Sequence, residues 1–383
     1  MHRYRADTCG MSLPTTAYRA PIADLPGLLT EAVARGASDV HIRAGSPVLM
    51  RIDGDLVTLT EGPLPAEVAR DLVRAAVGFE LPAAGFDADF AVNLPGIGRF
   101  RGNAFTSLGG WGVVLRHVRD TIPTPDQLNL PPAVRGWTSA SHGLIVVSGP
   151  TGSGKSTTLA ALVGEINATR PCHILTIEDP VEFVHRDLRA SVTQREIGTD
   201  TESFQRALRS GLRQDPDVIV IGEIRDLATM RIAAQAAETG HLVLASVHAG
   251  SALETVHRMV SLFEVSEQDM ARAALAESLV GVVSQRLVTG ETTRKRTLVT
   301  EVMISTPRIS EAISQPDRSD PLEEIIGEGE YYGMHTLLQD AVRLVLAGDL
   351  SVQDSSRVVA NPAELDVALH RNGYRSTSGV TYV

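Results

Sequence analysis

The stretch from 149 to 156 reads Gly149-Pro150-Thr151-Gly152-Ser153-Gly154-Lys155-Ser156. It matches the pattern G-x-x-x-x-G-K-[ST] at every constrained position. Residues 144–148 before it, of which the first four are apolar, predict a short buried strand, and residues 157–166 after it predict a helix. Strand, glycine-rich loop and helix in this order predict a phosphate-binding loop, because the start of a helix presents free N–H groups and a partial positive charge to an anion.

The residue types in this loop predict a nucleotide as the ligand. Its glycines let successive backbone N–H groups turn inward on phosphates. Lys155 would bridge the β- and γ-phosphates of ATP, and the Ser156 hydroxyl would ligate Mg²⁺. Lys155 is one of only two lysines in the chain, so a lysine-rich surface does not explain it. The alternative is a glycine-rich turn that binds nothing; the motif and its context together favour ATP, held by residues 149–156 and Thr157.

The composition narrows the class of protein. The 383 residues, 43% hydrophobic and 21% charged, suit a globular protein of about two or three domains. A net charge of −11 and an aromatic content of 4% argue against a nucleic-acid groove, which needs basic tracks and stacking platforms. The charge belongs to the whole chain, so it is compatible with a local basic patch, but we expect no nucleic-acid partner.

Cysteine content and hydropathy predict the compartment. Cys9 and Cys172 are too few and too far apart for a disulfide framework or a zinc site, which indicates a reducing, cytosolic setting. The polar residues 1–10 lack the apolar core of a signal peptide. No apolar run approaches the roughly 18 residues of a membrane span, so any membrane association is expected to be peripheral.

Changes of pattern along the chain predict five segments. They are an N-terminal tail (1–22), a small α+β domain (23–119), a linker (120–136), an α/β domain with C-terminal helices (137–350) and a C-terminal tail (351–383). Helices at 25–36 and 66–77, mixed with short strands and a tight hairpin at Asp53-Gly54, indicate the α+β domain. Pro123 and Pro125 mark the linker, because they disfavour both regular elements.

From residue 144 onward, apolar strands alternate with helices, as in a parallel sheet covered on both faces. The predicted strands are 144–148, 174–177, 218–221 and 242–246. The predicted helices are 202–213, 228–238 with Asp226 as N-cap, one opened by a Ser251/Glu254 capping box, 270–287 and 335–346. The expected fold class is therefore α/β: a P-loop domain with a mostly parallel sheet, preceded by the smaller α+β domain.

Two acids end predicted strands of this sheet. Glu223 follows the apolar strand 218–221, where a P-loop fold places a carboxylate beside Mg²⁺ and the γ-phosphate. A surface glutamate at the end of a strand is the alternative. Glu178 ends the strand before it, in an acidic run at 176–182. It could orient and deprotonate the attacking water, or it could be a solvated loop acid.

Histidines and arginines add further candidates. His241 and His248 bracket the strand 242–246; a lone histidine is commonly structural, and His248 lies at the end where ligands bind. Arg99 and Arg101 alternate on one predicted strand and share a face, and Arg116 lies on the next. These arginines are either a solvated basic edge or a set that reaches the γ-phosphate.

Six segments together resemble the secretion ATPase superfamily and, within it, the type IV pilus retraction ATPases of the PilT type. They are 37–41 (ASDVH), 99–101 (RFR), 149–157, 176–182 (TIEDPVE), 215–226 (DPDVIVIGEIRD) and 240–250 (GHLVLASVHAG). They extend over most of residues 25–345, and the acidic and histidine segments are far more specific than the loop alone. The resemblance implies a PAS-like N-terminal domain followed by a RecA-like ATPase domain.

The resemblance also implies roles for single residues. Glu178 would be the catalytic base, and Glu223 the Walker B acid that helps to hold Mg²⁺. His248 and His241 would be the residues of the family's histidine box.

Assembly is implied in the same way. Arg99, Arg101 and Arg116 lie where family arginines approach the phosphates, and six subunits would form a ring. The homohexamer would dock beneath an inner-membrane platform protein, at the cytoplasmic face of the membrane, and use ATP hydrolysis to remove or add pilin.

Two departures bear on the direction of the motor. The chain lacks the tetracysteine zinc insertion and the extra N-terminal domains that are usual in assembly-type relatives, which favours retraction. Retraction members carry a helix with two arginines after a Thr-Pro, whereas Ser310 and Ser314 stand at those places after Thr306-Pro307. Hydrolysis should survive this difference, but retraction itself is put in question.

Three other functions are compatible with parts of the pattern. A pilus assembly or secretion ATPase of the same fold would differ in cargo, not in chemistry. A nucleic-acid-remodelling ATPase shares the RecA-like core, although the acidic charge counts against it. A scaffold that binds ATP without hydrolysing it would not need Glu178 and Glu223.

Overall fold

The computed structural model describes residues 24–52, 54–81, 85–118, 121–290 and 296–374. The predicted N-terminal tail (1–22), Asp53 of the predicted hairpin and the last nine residues of the predicted C-terminal tail lie outside these ranges. The chain divides into two compact units, Met1–Asp120 and Thr121–Val383. In the described ranges, no helix is both long enough and apolar enough to cross a membrane.

In its described residues, the first unit is an antiparallel sheet with two helices. Its elements are α1 (Leu25–Ala34), β1 (Asp39–Arg43), β2 (Leu49–Ile52), β3 (Asp55–Thr58), α2 (Ala66–Val77), β4 (Asp87–Leu94), β5 (Gly98–Ser107) and β6 (Gly110–Val118). The strand order is β3-β2-β1-β6-β5-β4. Leu29 of α1 and Val73 of α2 pack with Ile42, Phe100 and Leu115 of the sheet, and all five are buried. The helices therefore cover the apolar face of the sheet.

The second unit is an α/β domain. Its strands are β7 (Gly143–Ser148), β8 (His173–Glu178), β9 (Ser191–Glu196), β10 (Val218–Ile221), β11 (Leu242–Val247), β12 (Leu279–Thr289) and β13 (Arg296–Ile304). Its helices are α3 (Pro132–Gly136), α4 (Lys155–Thr169), α5 (Phe204–Gly211), α6 (Leu227–Glu238), α7 (Ala252–Ser261), α8 (Gln268–Ser278), α9 (Pro307–Ser314), α10 (Leu322–Glu328), α11 (Leu337–Leu346), α12 (Val352–Ser355) and α13 (Pro362–Arg371).

The sheet of the second unit is parallel except at one edge. Its order is β13-β12-β7-β11-β10-β8-β9, and of the strands described only β13 pairs antiparallel, with β12. Leu144 and Val146 of β7 point into one core, and Ile145 and Val147 into the other. Burial on both faces explains why the central strands are continuously apolar. The predicted α/β class, with a mostly parallel sheet after a smaller antiparallel domain, is confirmed.

The predicted helix at 270–287 is wrong in its second half. Helix α8 ends at Ser278, and the chain continues as β12, the strand next to β7. Val282 and Val283 are fully buried there, one on each face of the sheet. A short apolar run is compatible with a buried helix or a buried strand, and here pairing with β7 and β13 decides for the strand.

The predicted C-terminal tail is wrong for the part that the structure describes, residues 351–374. Helices α12 and α13 lie in this range, and Asn361 caps α13 by accepting a hydrogen bond from the Ala363 N–H. Leu365 and Leu369 of α13 are buried in a cluster with Val342 and Val345 of α11. Four residues separate the two leucines, so they share one face of the helix, and that face is covered by α11.

Helix caps show how far local patterns extend. Asp226 caps α6, as predicted, by accepting from the Thr229 N–H at 2.8 Å. Ser251 caps α7 by accepting from the Glu254 N–H at 3.1 Å. The Glu254 carboxylate, however, accepts from the N–H of Gly250 instead of that of Ser251, so only half of the predicted capping box forms.

Candidate nucleotide site

The loop 149–156 connects β7 to α4, as the sequence predicts. Gly154, with φ 91°, occupies the N-cap position of α4, and within the described parts of the chain no side chain caps this helix. The first N–H groups of α4 are therefore open to an anion. Gly149 has φ 152°, and a Cβ there would lie 2.4 Å from Ser153 Oγ and 2.5 Å from the Gln285 carbonyl oxygen. Glycine is required at this position for both reasons.

Lys155 is the first residue of α4, and its side chain turns back to the start of the loop. Its ammonium donates to the carbonyl oxygens of Gly149, at 2.9 Å, and Pro150, at 3.1 Å, and the side chain is nearly buried. Burial lowers the pKa of Lys155, and the nearby carboxylates of Glu223 and Glu182 oppose that shift. A phosphate is a stronger partner for an ammonium group than a carbonyl oxygen, so this arrangement suits an anionic ligand.

Glu223 and His248 lie next to each other near Lys155, at the ends of neighbouring strands. Glu223 follows β10 and His248 follows β11, and the two strands are parallel partners. Glu223 Oε1 lies 3.2 Å from His248 Nε2, and the other ring nitrogen of His248 lies 3.4 Å from Lys155 Nζ. Arg225 Nε donates to Glu223 Oε2 at 2.7 Å. Burial, followed by the charge of Lys155, lowers the pKa of His248, which keeps the ring neutral at neutral pH.

Glu178 is the last residue of β8, the other neighbour of β10. Its Oε1 accepts from Thr176 Oγ1 at 2.7 Å and from Gln194 Nε2 at 3.2 Å. Burial raises the pKa of this carboxyl group, and these two hydrogen bonds oppose the shift. A Cβ on Gly222 would lie 3.2 Å from Glu178 Cα, so the glycine allows the ends of β8 and β10 to approach closely.

Three predicted residues are therefore brought to one edge of the sheet. The order β11-β10-β8 places His248, Glu223 and Glu178 at the carboxyl ends of adjacent parallel strands. Parallel α/β sheets bind their ligands at this edge. A cavity of about 60 Å³ is lined by both Ser156 and Glu178, so the start of α4 and the end of β8 share a space.

A second cavity opens beside the loop. It has a volume of about 400 Å³ and is lined by residues 150–153 of the loop, 286–289 of β12 and 357–358 after α12. The segment that contains Arg357 and Val358 was predicted to be a tail, so the sequence did not indicate this wall of the site.

The remaining predicted residues are one histidine at the other end of β11 and three arginines that belong to the first unit. His241 precedes β11 and lies at the opposite end of that strand, where its Nδ1 is 3.1 Å from the Ala236 carbonyl oxygen. Arg101 is paired with Arg116 across β5 and β6, in the first unit. Arg116 Nε donates to Asp39 Oδ1 at 2.8 Å. The roles of His241, Arg99, Arg101 and Arg116 stay predictions.

Gln285 of β12 is a site residue that the sequence did not reveal. It is fully buried, its Nε2 donates to the Ser153 carbonyl oxygen at 2.7 Å, and its Oε1 accepts from Thr158 Oγ1 at 2.9 Å. It thereby ties the loop to the first turns of α4. Gln285 was placed in a predicted helix, and no local signal marks it because its partners are more than 120 residues away.

Glu301 of β13 supports the segment that follows His248. This buried carboxylate accepts from the Ala252 N–H at 2.6 Å, at the start of α7. Burial raises the pKa of Glu301, and the backbone hydrogen bond from Ala252 opposes the shift. Arg286 also donates to the Gly250 carbonyl oxygen, at 3.2 Å. The sequence did not indicate either contact, because strand β13 was not predicted and Arg286 of β12 was placed in a predicted helix.

The residues present fit a nucleoside triphosphate with Mg²⁺. The uncapped helix start and the Lys155 ammonium supply donors for phosphate oxygens, and Ser153 Oγ is buried without a hydrogen-bond partner in the described parts of the chain. The described residues contain no group of three or more His, Cys, Asp or Glu side chains able to hold a metal ion. Mg²⁺ is commonly held by one or two protein oxygens together with phosphates and water, and the Ser156 hydroxyl and the Glu223 carboxylate are protein oxygens of that kind.

The fold and this edge of the sheet define a P-loop nucleotide-binding protein with two acids beside the loop. Residues 18–357 match the family described as "Type II/IV secretion system protein". The chain is 40% identical over 338 residues to the type IV pilus retraction ATPase PilT of Pseudomonas aeruginosa, which covers 87% of this chain and 97% of that protein. It is 36% identical over 337 residues to a twitching motility protein of Neisseria gonorrhoeae, with coverages of 87% and 90%.

Solved structures agree with the sequence relatives. The crystal structure of the pilus retraction motor PilT with bound ADP superposes with a TM-score of 0.81 at 36% identity, covering 90% of this chain and 99% of that chain. The chain belongs to the type II/IV secretion system protein family, and it is an ATPase of the PilT-like kind.

Proposed function

We propose that this chain is a hexameric, Mg²⁺-dependent ATPase motor that powers the retraction of type IV pili, and hence twitching motility. The observation that carries the proposal is the convergence of Lys155, Glu223 and Glu178 on one edge of the sheet. A protein that only binds ATP needs the loop, whereas hydrolysis also needs a group that orients and deprotonates water. The similarity to a retraction ATPase and to a twitching motility protein, each over 87% of this chain, favours the type IV pilus as the structure on which the motor acts.

Each residue then has a distinct task. The loop residues 149–157 bind the phosphates, and Ser156 and Glu223 hold Mg²⁺, which supplies charge neutralisation at the phosphates. Glu178 orients the attacking water and takes its proton; its raised pKa suits that task. His248 contacts both Lys155 and Glu223, so it is placed to respond to the phosphate side of the site.

The two cavities indicate how the nucleotide is oriented. Glu178 and Glu223 lie on the β10–β8 side of the loop, which is therefore the side of the terminal phosphate. The larger cavity lies on the β12 side and is available to the ribose and base. Arg99, Arg101 and Arg116 are proposed to reach the phosphates and to complete the site in the hexamer.

The motor is proposed to work in the cytoplasm, at the inner face of the membrane and beneath a platform protein. Pilus assembly and secretion are the alternatives with the same chemistry. Ser310 Oγ donates to the Ala276 carbonyl oxygen at 3.1 Å, and Ser314 Oγ donates to the Ser310 carbonyl oxygen. Both hydroxyls thus donate to backbone carbonyl oxygens, one of α8 and one of α9, and α9 offers no cation at these two positions. The parts of the chain that the structure describes offer no feature in favour of a nucleic-acid-remodelling role.

The biochemical test is Glu178→Gln. The amide keeps the shape of the side chain and its acceptor oxygen but cannot take a proton, so turnover should fall by at least about 100-fold with ADP affinity unchanged. Glu202→Gln, on an exposed glutamate before α5, is the control and should be neutral. Near-normal hydrolysis by the Glu178 variant would remove the assignment of the base.

The cellular test is a count of surface pili when the only copy carries Glu178→Gln. More pili than in the wild type would show that the motor removes subunits. Bald cells would show that it drives assembly, and unchanged counts would favour secretion. Addition of single-stranded DNA to the purified protein should not stimulate hydrolysis; stimulation would favour the nucleic-acid alternative.

A further inference from the structure

One residue that lines the small cavity, His185, has a buried ring nitrogen to which no role has been assigned above. The cavity of about 60 Å³ is lined by Ser156, Glu178, Phe183, His185 and Gly222, among others. Nδ1 of His185 is buried and has no hydrogen-bond partner in the parts of the chain that the structure describes. Buried polar atoms without partners are uncommon in folded proteins, and an internal water is a frequent partner for them.

The cavity suits a water. A water occupies about 30 Å³ in the liquid and needs two to four polar partners when buried. Glu178, Ser156 and His185, each with a polar side chain, are among the residues that line this space, together with the apolar Phe183. Burial lowers the pKa of His185 to about 4, so at neutral pH the ring is neutral and one nitrogen can accept a hydrogen bond.

A single side chain holds Glu178 and His185 in fixed positions. Gln194 of β9 donates to Glu178 Oε1 at 3.2 Å and to the Phe183 carbonyl oxygen at 2.9 Å. Its Oε1 accepts from the backbone N–H of His185 at 2.8 Å. The three hydrogen bonds of the Gln194 side-chain amide therefore hold the backbone at Phe183 and His185 next to the Glu178 carboxylate.

We propose that His185 positions the attacking water against Glu178. The water donates one hydrogen to Nδ1 of His185 and the other to the Glu178 carboxylate, which leaves its lone pairs for the side of the cavity formed by Ser156. As the water oxygen bonds to the terminal phosphorus of ATP, the bond from that phosphorus to the bridging β-phosphate oxygen breaks and ADP leaves. The proton that the water loses goes to Glu178, and the imidazole stays neutral throughout. His185 is thus a positioning residue, and it acts through the water.

The inference rests on the proposed hydrolytic function, and its test is the pair His185→Asn and His185→Leu. The two replacements have nearly the same size, but only asparagine offers an acceptor near the place of Nδ1. We expect kcat to fall by about 10- to 100-fold in the leucine variant, as for a misplaced reactant, and to stay within a few fold of the wild type in the asparagine variant. KM for ATP and the affinity for ADP should not change in either.

A readout independent of turnover is the electron density of the cavity in high-resolution crystal structures. A water should lie between His185 and Glu178 in the wild type. In the His185→Asn variant it should lie between the introduced amide and Glu178, and in His185→Leu it should be absent. Should the leucine variant not fold, His185→Phe keeps the ring volume without the nitrogen and serves the same comparison.

The outcomes distinguish an error in the role of His185 from an error in the assignment of Glu178 as the base. Equal kcat values for the asparagine and leucine variants, or a dry cavity in the wild type, would overturn the role of His185. Loss of hydrolysis in Glu178→Gln with no loss in His185→Leu removes this inference alone. Retained hydrolysis in Glu178→Gln removes the assigned base, and the role of His185 with it.

Discussion

At the scale of the residue, the chemistry of the site depends on groups that carry no signature in the sequence. Gln285 donates to the backbone of Ser153, and Gln194 donates to Glu178. His185 has a buried ring nitrogen without a partner in the described parts of the chain, which we propose binds the attacking water. Lys155, Glu178 and Glu223 could be predicted because each follows a recognisable strand or loop. Their partners could not, since a hydrogen bond between distant segments imposes no local pattern.

Replacement of Gln285 by leucine should weaken both the fold and nucleotide binding. Leucine has a similar size but leaves the Ser153 carbonyl oxygen and the Thr158 hydroxyl without their present partner. An unsatisfied buried group costs about 1–3 kcal/mol, so with two such groups the free energy of unfolding should fall by about 2–6 kcal/mol. Urea denaturation measures this, and ADP titration should show weaker binding because the loop loses its support.

Gln205→Leu is a suitable control, because Gln205 lies on α5 and its hydrogen bond to Asp226 is long, at 3.5 Å. Its free energy of unfolding should stay within about 0.5 kcal/mol of the wild type. Equal stability of the Gln285 and Gln205 variants would contradict the supporting role of Gln285.

The pH dependence of hydrolysis should respond to Thr176. Burial raises the pKa of Glu178, whereas the hydrogen bond from Thr176 favours the ionised form and opposes the shift. Thr176→Val keeps the shape and removes this donor, so the pKa of Glu178 should rise further. The base must be ionised to accept a proton, and kcat on the acid side should therefore begin to fall at a higher pH than in the wild type.

A profile of kcat against pH for both proteins measures the shift. Glu182 contributes to the same pKa, because its negative charge disfavours ionisation of Glu178. Glu182→Gln should move the acid limb in the opposite direction, toward lower pH. Identical acid limbs for all three proteins would mean that Glu178 does not control this part of the profile.

At the scale of the element, periodicity predicted most of the described helices and central strands, and it failed for three strands of the second unit. Helix α2 and strand β10 have the predicted bounds, because each has a clear pattern and a clear end. Strand β12 was predicted as helix, and β9 and β13 were not predicted. These strands complete the sheet by pairing with neighbours, which local propensity does not report.

Helix α13 allows a direct test of packing outside the predicted domain. Leu365 is buried against α11, whereas Val367, two residues later, is 52% exposed. Leu365→Ala should lower the free energy of unfolding by about 2–4 kcal/mol, and Val367→Ala by less than about 0.5 kcal/mol. Chemical denaturation of the full chain distinguishes them; equal values would support the original prediction of a tail.

At the scale of the whole molecule, the proposed ring makes a prediction about mixed subunits. If Arg101 serves the nucleotide site of a neighbouring subunit, Arg101→Ala and Glu178→Gln subunits should each be inactive alone. In a head-to-tail ring, each site takes Glu178 from one subunit and Arg101 from its neighbour. In an equal, random mixture of the two variants each of these residues is intact at about half of the sites, so about a quarter of the sites have both. ATPase activity should therefore recover on mixing, in proportion to those sites.

The matched control is a mixture of Glu178→Gln with Lys155→Ala subunits. Both changes lie in the second unit, at the loop and sheet edge of one subunit's site. Every site in this mixture therefore lacks either Lys155 or Glu178, and we expect no recovery of activity. Sedimentation of the same samples reports whether six subunits assemble. No recovery in the Arg101 mixture, with hexamers present, would contradict the action of Arg101 across subunits.

The sequence by itself determined the phosphate loop, the order of strand and helix around it, and the acids that end β8 and β10. Each of these is a local matter: glycines at constrained φ, apolar runs and the residue that follows a strand. Tertiary structure decided which of the candidates meet. His248 reaches Lys155 and Glu223 whereas His241 does not, because the parallel order β11-β10-β8 brings only carboxyl ends to the loop. The support from Gln285, the cavity with His185 and the helices after residue 350 arise from contacts across long sequence separations, which no local pattern encodes.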